Sequence, residues 1–230
     1  MRTRIGHSLA QGRLDGNDGY PGNNASVDTV KQMVLNSRAL TAELFKAQAL
    51  PLVCATPSIS VNGDPETGES FPAVAVDVRS ACAALRAWDN TGNPGARGPH
   101  VWDEFWRRAG LLPEADLYSV QFNATDPIHT PRNLKNTAGP ALQLAFGAAV
   151  LRVQHSSFSM TATRGETLFV TRNMRKIALY GGCAESGYFT VACSETRLDQ
   201  VGYSMSNTPY GNSSMHVVSF RHSGFEAPPF

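Results

Sequence analysis

The sequence predicts an α+β fold in which helices come first and antiparallel strands follow. Three observations carry that reading. Apolar side chains recur at helical spacing in four stretches between residues 28 and 153, and beyond residue 155 the chain breaks into short β-branched or aromatic runs. Segments dense in Gly, Pro, Asn and Asp separate these stretches. The expected organisation is one domain over 1–230, mainly helical with long loops over 1–155 and mainly antiparallel strands over 156–230.

Residues 12–26, GRLDGNDGYPGNNAS, read as a loop because nearly every position favours a turn. Ser26 or Asp28 can cap a helix, after which Val30, Met33, Val34, Ser37, Leu40, Leu44 and Phe45 share one face. That spacing predicts a single helix over 28–49, ended by Pro51. Residues 56–73 return to Pro, Gly, Asp, Glu and Ser and are expected to form a surface loop. A second helix is expected over Val78–Asp89, with Cys82, Leu85 and Trp88 on one side, and a short third over Val101–Ala109. The third carries Trp102, Phe105 and Trp106, and large aromatics at that spacing read as core rather than as a binding platform. A fourth helix is expected over 138–153, weakened by Gly147. Strands are expected at Phe158–Thr163, Thr167–Thr171, Lys176–Tyr180, Tyr188–Cys193 and Met215–Phe220.

The 230 residues hold 20 Lys and Arg against 19 Asp and Glu, a formal net charge of +1, so the chain generates no field for a polyphosphate. Nucleic acid is not an expected partner. The longest apolar run, Leu144–Leu151, falls well short of the roughly 18 residues a bilayer span needs, so no membrane insertion is expected. The opening Met-Arg-Thr-Arg-Ile-Gly-His has no apolar region behind its charges and does not read as a secretory leader.

Cys54, Cys82, Cys183 and Cys193 form two pairs, 28 and 10 residues apart. In an oxidising compartment the economical reading is two disulfides, Cys54 with Cys82 and Cys183 with Cys193; in a reducing one it is four buried thiols. No CxxC and no His at metal-finger spacing accompanies them, and no metal or other cofactor is expected.

The sequence has no GxGxxG, Walker A, HExxH, EF-hand loop or GxSxG elbow. His7, His100, His129, His155, His216 and His222 are scattered and read as structural or solvated. Asp103 and Glu104 precede Arg107 and Arg108 by four residues, which predicts ion pairs on a wet helix face. Asn24, Asn123 and Asn212 head Asn-x-Ser/Thr sequons that decide nothing alone. Gly181-Gly182-Cys183 and Gly187-Tyr188-Phe189 place tight turns around an apolar segment; a disulfide-stapled turn and a site at a strand mouth both fit.

In order along the chain, RTRIG (Arg2–Gly6), RLDGNDGYPG (Arg13–Gly22), ACAALRAWD with HVWDEFWRRA (Ala81–Asp89, His100–Ala109) and YGGCAESGYFTVAC with YGNSSMHVVSF resemble the carboxy-terminal part of the β subunit in the penicillin acylase family. The branch most resembled is that of the acyl-homoserine lactone and aculeacin acylases. The resemblance implies part of an αββα N-terminal-nucleophile hydrolase, exported to the periplasm, self-cleaved into α and β chains, and active on linear amides of N-acyl substrates. Its nucleophile would be a serine at the start of the β chain, whose own α-amine is the general base. The oxyanion would be held by a backbone N–H and an asparagine. All three groups would lie upstream of Met1, and the family's closing strand would lie beyond Phe230, so the chain is expected to be truncated at both ends and inactive alone. Its partners would be the α subunit and the upstream β-chain segment, its substrate a small N-acyl amide. Of site residues the resemblance leaves Arg2, with Arg4 as the alternative register, in a supporting role beside the oxyanion asparagine. The competing reading is a non-catalytic, disulfide-stapled binding or structural module. A new hydrolase using residues within the chain is weakest, because no spacing brings a nucleophile and a base together.

Overall fold

The computed structural model describes residues 1–207, 209–212 and 214–219. Helix α1 (Arg2–Asp15) buries Ile5, Leu9 and Arg13, one every fourth residue and hence on one face. Gly16 ends it at φ 67°, a left-handed position that glycine adopts without penalty, and its N–H reaches the Arg13 carbonyl. RTRIG is thus itself the start of a helix. The following loop wraps the buried Arg13 guanidinium, which donates to the carbonyls of Tyr20 and Gly22 and faces Asp18.

The single helix expected over 28–49 is two, α2 (Val27–Leu35) and α3 (Leu40–Val53). Ser26 caps α2 by accepting from the Thr29 N–H. The break falls at Ser37, held at φ 34°, where Arg38 and Ala39 leave the helix to bridge Thr91 and Tyr188. Long-range backbone pairing overrides the helical spacing there. At the other end α3 runs through Pro51 to Val53.

The surface loop expected over 56–73 is in fact most of an antiparallel hairpin, β1 (Ser58–Asp64) and β2 (Glu69–Asp77). Ile59, Val61 and Val76 point into the core, and Gly68 at φ 73° makes the turn. Helix α4 (Arg79–Ala87), α5 (Pro99–Ala109), a helical turn α6 (Glu114–Leu117) and α7 (Gly139–His155) follow. A Cβ on Gly147 of α7 would collide with Val61 Cγ2 and meet Ile59 Cγ2 at 3.1 Å. This glycine, which weakens the helix on propensity, is what lets the hairpin lie flat against it. Around α5 and α7 the core stacks Phe45 on Trp106 (5.0 Å between ring centroids) and Trp106 on Trp102 (5.5 Å), while Trp102 Nε1 donates to Thr41 Oγ1. The three tryptophans are packing, as their spacing predicts.

The remaining strands are short. β3 (Tyr118–Val120) pairs antiparallel with β4 (Arg132–Leu134). After a helical turn α8 (Arg164–Thr167), β5 (Leu168–Arg172) pairs antiparallel with β6 (Arg175–Ala178) and in parallel with β8 (Tyr203–Ser204). β7 (Ala192–Ser194) pairs antiparallel with β9 (Pro209–Gly211). Phe158–Thr163 is not a strand, because its residues turn to place Ala162 and Thr163 against Gly98 and Arg97. Residues 188–191 are irregular because they follow the disulfide loop. Of the strand expected at Met215–Phe220, residues 215–219 carry no regular pairing; Phe220 and His222 lie outside the described residues. The architecture is a mixed α+β one, with helices around small, mostly antiparallel sheets. No helix among the described residues is long and apolar enough to cross a membrane.

Candidate functional site

Both disulfides are formed, Cys54–Cys82 and Cys183–Cys193. The first ties the end of α3 to α4 across the hairpin. The second closes a loop that forms the rim of a cavity of about 490 Å³. Trp106 and Arg107 of α5, Leu168 of β5 and Tyr203 of β8 supply other walls, and Met1 and Leu111 also line it. The lining is largely apolar, with few polar groups, which is the composition of a small-molecule pocket.

The polar lining of this cavity includes Arg107, Glu185, Ser186 and Ser194 together with Asp103 and Arg164, which are 7% and 1% exposed. Arg164 Nη2 donates to Asp103 Oδ2 at 2.6 Å and to Tyr188 Oη at 2.7 Å. Asp103 Oδ1 and Arg164 Nε are buried without a hydrogen-bond partner. Each such orphan costs about 1–3 kcal/mol. Burial pushes the Tyr188 phenol well above its usual range, so it stays protonated.

Of the ion pairs expected on a wet face of α5, Asp103–Arg107 does not form, since Asp103 pairs with Arg164 and Arg107 with Glu66, and Glu104–Arg108 forms but is buried, which corrects that reading. Arg108 is 0% and Glu104 1% exposed. Arg108 grips Asp64 with Nε (2.8 Å) and Nη2 (2.7 Å) and Glu104 Oε2 with Nη1 (2.7 Å), and Nη2 also faces Glu66 at 2.8 Å. Arg152 adds a second cation to Asp64 at 2.9 Å, and Tyr203 donates to the other Glu104 oxygen at 2.5 Å. Burial alone would raise the Asp64 pKa; the hydrogen bonds and charges of Arg108, with Arg152, hold it below the usual carboxylate range. The i, i+4 pair Glu104–Arg108 exists, but the hairpin covers it.

His100 is likewise enclosed, with Nε2 3.0 Å from the Ser159 carbonyl. Burial, and then the Arg164 charge, lower its pKa to about 4. Unfolding restores a pKa near 6.5, so the unfolded chain binds the extra proton first. Stability is therefore complete above pH 6.5 and falls by about 3 kcal/mol as pH drops from 6.5 to 4. Urea unfolding of the wild type and of His100→Gln across that window checks this: the variant without the buried imidazole should lose most of the slope.

Arg2 and Arg4 point to different places. Arg2 is exposed, donating to the Phe189 carbonyl (3.1 Å) and Asn212 Oδ1 (2.9 Å). Arg4 lines a second cavity of about 520 Å³ and donates to the Pro131 carbonyl at 2.7 Å. Burial lowers its pKa, against the pull of Asp126 and Tyr118. The two cavities share Met1, Gly110 and Tyr118.

Cys183, Glu185 and Cys193 bring ligand-type atoms within 4.8 Å of one another, but the two sulfurs are bonded together and offer no thiolate. Among the described residues no hydroxyl or thiol hydrogen-bonds a histidine: His100 meets a carbonyl and His129 pairs with Asp126. The sequence singled out neither Asp103 nor Arg164 as a site residue. They stand 61 positions apart, and no local signal joins them.

Residues 2–225 match the family described as penicillin amidase. The chain belongs to the penicillin amidase family. It is 31% identical over 193 residues to the aculeacin-A acylase of Actinoplanes utahensis, an alignment covering 83% of this chain and 22% of that protein. The chain thus spans about a fifth of the length of this curated relative.

Proposed function

We propose that these residues form the carboxy-terminal part of the β subunit of an N-terminal-nucleophile amide hydrolase in the acyl-homoserine lactone and aculeacin acylase branch. The family match over residues 2–225 carries this reading. In it, the small sheets and helices described above complete an αββα framework whose remaining strands belong to an upstream β-chain segment and an α subunit. The enzyme is made as an exported, self-cleaving precursor and works in the periplasm; the two disulfides suit that oxidising compartment. It hydrolyses the linear amide of N-acyl substrates, acyl-homoserine lactones or acylated antibiotics. The nucleophile is a serine outside residues 1–230, so this chain is inactive alone. The lack of a hydroxyl–histidine or thiol–histidine pair among the described residues supports that assignment. Of the two arginines Arg4 is the better supporting residue, because it is partly buried at the wall of a cavity next to Met1 whereas Arg2 engages the exposed surface.

The test is release of free amine from N-octanoyl-homoserine lactone and from an acylated antibiotic. It is run with protein purified from its natural source and, separately, with residues 1–230 alone. Hydrolysis by the native protein and none by the isolated chain is expected. Turnover by residues 1–230 alone would overturn the placement of the nucleophile. No turnover by either would favour the binding or structural module instead.

A further inference from the structure

The β5–β6 hairpin ends in a two-residue turn, Asn173-Met174, closed by the pairing of Arg172 with Arg175. Both turn residues lie in the left-handed region, at φ 48° and 61°. Asparagine tolerates that conformation, but the second position favours glycine and methionine strains it. Met174 gains nothing within the chain in return, because it is 98% exposed. A second local penalty sits beside it: Arg172 and Arg175, directly opposite across the two strands, are like charges that repel. Two unfavourable choices at one exposed tip point to something outside the chain that the hairpin meets.

Arg172, Arg175 and Lys176 are all exposed, and the ion pairs among the described residues include none of them. Lys176 Nζ lies 4.2 Å from the centroid of the Phe169 ring, and Arg172 donates to the Thr171 carbonyl at 3.1 Å. The tip therefore gathers three cations without a carboxylate partner around one bare apolar side chain. Ile177 of β6 adds a half-exposed second one.

A tip this narrow cannot bury the roughly 1,000 Å² that a specific protein interface needs. Adsorption to a phospholipid surface asks for less. Each Lys or Arg held near an anionic surface strengthens binding about fivefold, and an apolar side chain that enters the headgroup boundary adds to this. We propose that the hairpin tip at residues 172–176 is a docking site for an anionic phospholipid surface. Met174 enters the headgroup region, and Arg172, Arg175 and Lys176 pair with lipid phosphates. The inference rests on the hairpin alone and stands independently of the nucleophile's location.

Cosedimentation of the 230-residue chain with vesicles tests it. Vesicles of equal parts phosphatidylglycerol and phosphatidylcholine should bind the protein more tightly than phosphatidylcholine alone, by on the order of 100-fold at low salt and by less as ionic strength rises. Arg175→Glu sets opposite charges across the turn and Met174→Gly relaxes it, so both variants should be at least as stable as the wild type in urea unfolding. Both should nevertheless bind the anionic vesicles about tenfold or more weakly. Arg86→Glu makes the same change of charge at an exposed position of α4 and should leave binding unchanged. No preference for the anionic vesicles, equal losses in Arg86→Glu and Arg175→Glu, or full binding by Met174→Gly would each overturn the proposal. Polyglutamate bound in place of the vesicles, and released in Arg175→Glu, would assign the tip to an acidic polypeptide and overturn it as well.

Discussion

Arg108→Met should destabilise the protein by about 3–5 kcal/mol, the cost of removing one partner from a buried ion pair. Arg108 is fully buried and is the shared cation of Asp64, Glu66 and Glu104. Methionine keeps much of the volume but leaves Glu66 to Arg107, Asp64 to Arg152 and Glu104 without its ion-pair partner. The hairpin bearing Asp64 and Glu66 then loses its anchor on α5. Since about 2–4 °C accompanies each kcal/mol at this chain length, a melting temperature lower by roughly 10 °C is expected. Urea unfolding gives the free energy directly. A loss under about 1 kcal/mol would mean that the pair is solvated. Acid should act on the same network: the Asp64 pKa is lower folded than unfolded, so its contribution is present above the unfolded value near 3.9 and disappears as pH falls through the folded one.

Replacing Cys54 and Cys82 together by Ser should cost about 3–4 kcal/mol, because the bridge closes a loop of 28 residues and so restricts the unfolded chain. The 10-residue loop of Cys183 and Cys193 is shorter, and its double Ser variant should lose less, about 2–3 kcal/mol. Equilibrium unfolding of the two variants beside the wild type ranks them. A thiol titration of the oxidised, denatured protein should find none free; four thiols per chain would remove both bridges and the oxidising-compartment argument with them.

How far the sequence reaches depends on whether a feature is local. Helices α4, α5 and α7 are legible because their buried residues fall on helical spacing, and the cysteine pairs because short separations favour local loops. The β1–β2 hairpin is not, since Gly63, Asp64, Pro65, Glu66 and Gly68 at its turn have the composition of a loop and β1 is apolar only at Ile59 and Val61. Its one indirect trace is Gly147, whose missing side chain makes room for it. The misread face of α5 has the same origin: Glu104–Arg108 is a good surface pair until Asp64 and Tyr203, remote in sequence, are folded over it. Asp103 and Arg164 meet only through tertiary structure, whereas the family relation was legible because ordered motifs survive along the whole chain.

Intact mass and amino-terminal sequencing of the native protein from its source bear most directly on the placement of these residues within an N-terminal-nucleophile enzyme. The expected result is a longer β chain that begins with serine and contains residues 2–225 toward its carboxy terminus. A native species of 24.8 kDa that begins at Met1 would contradict it.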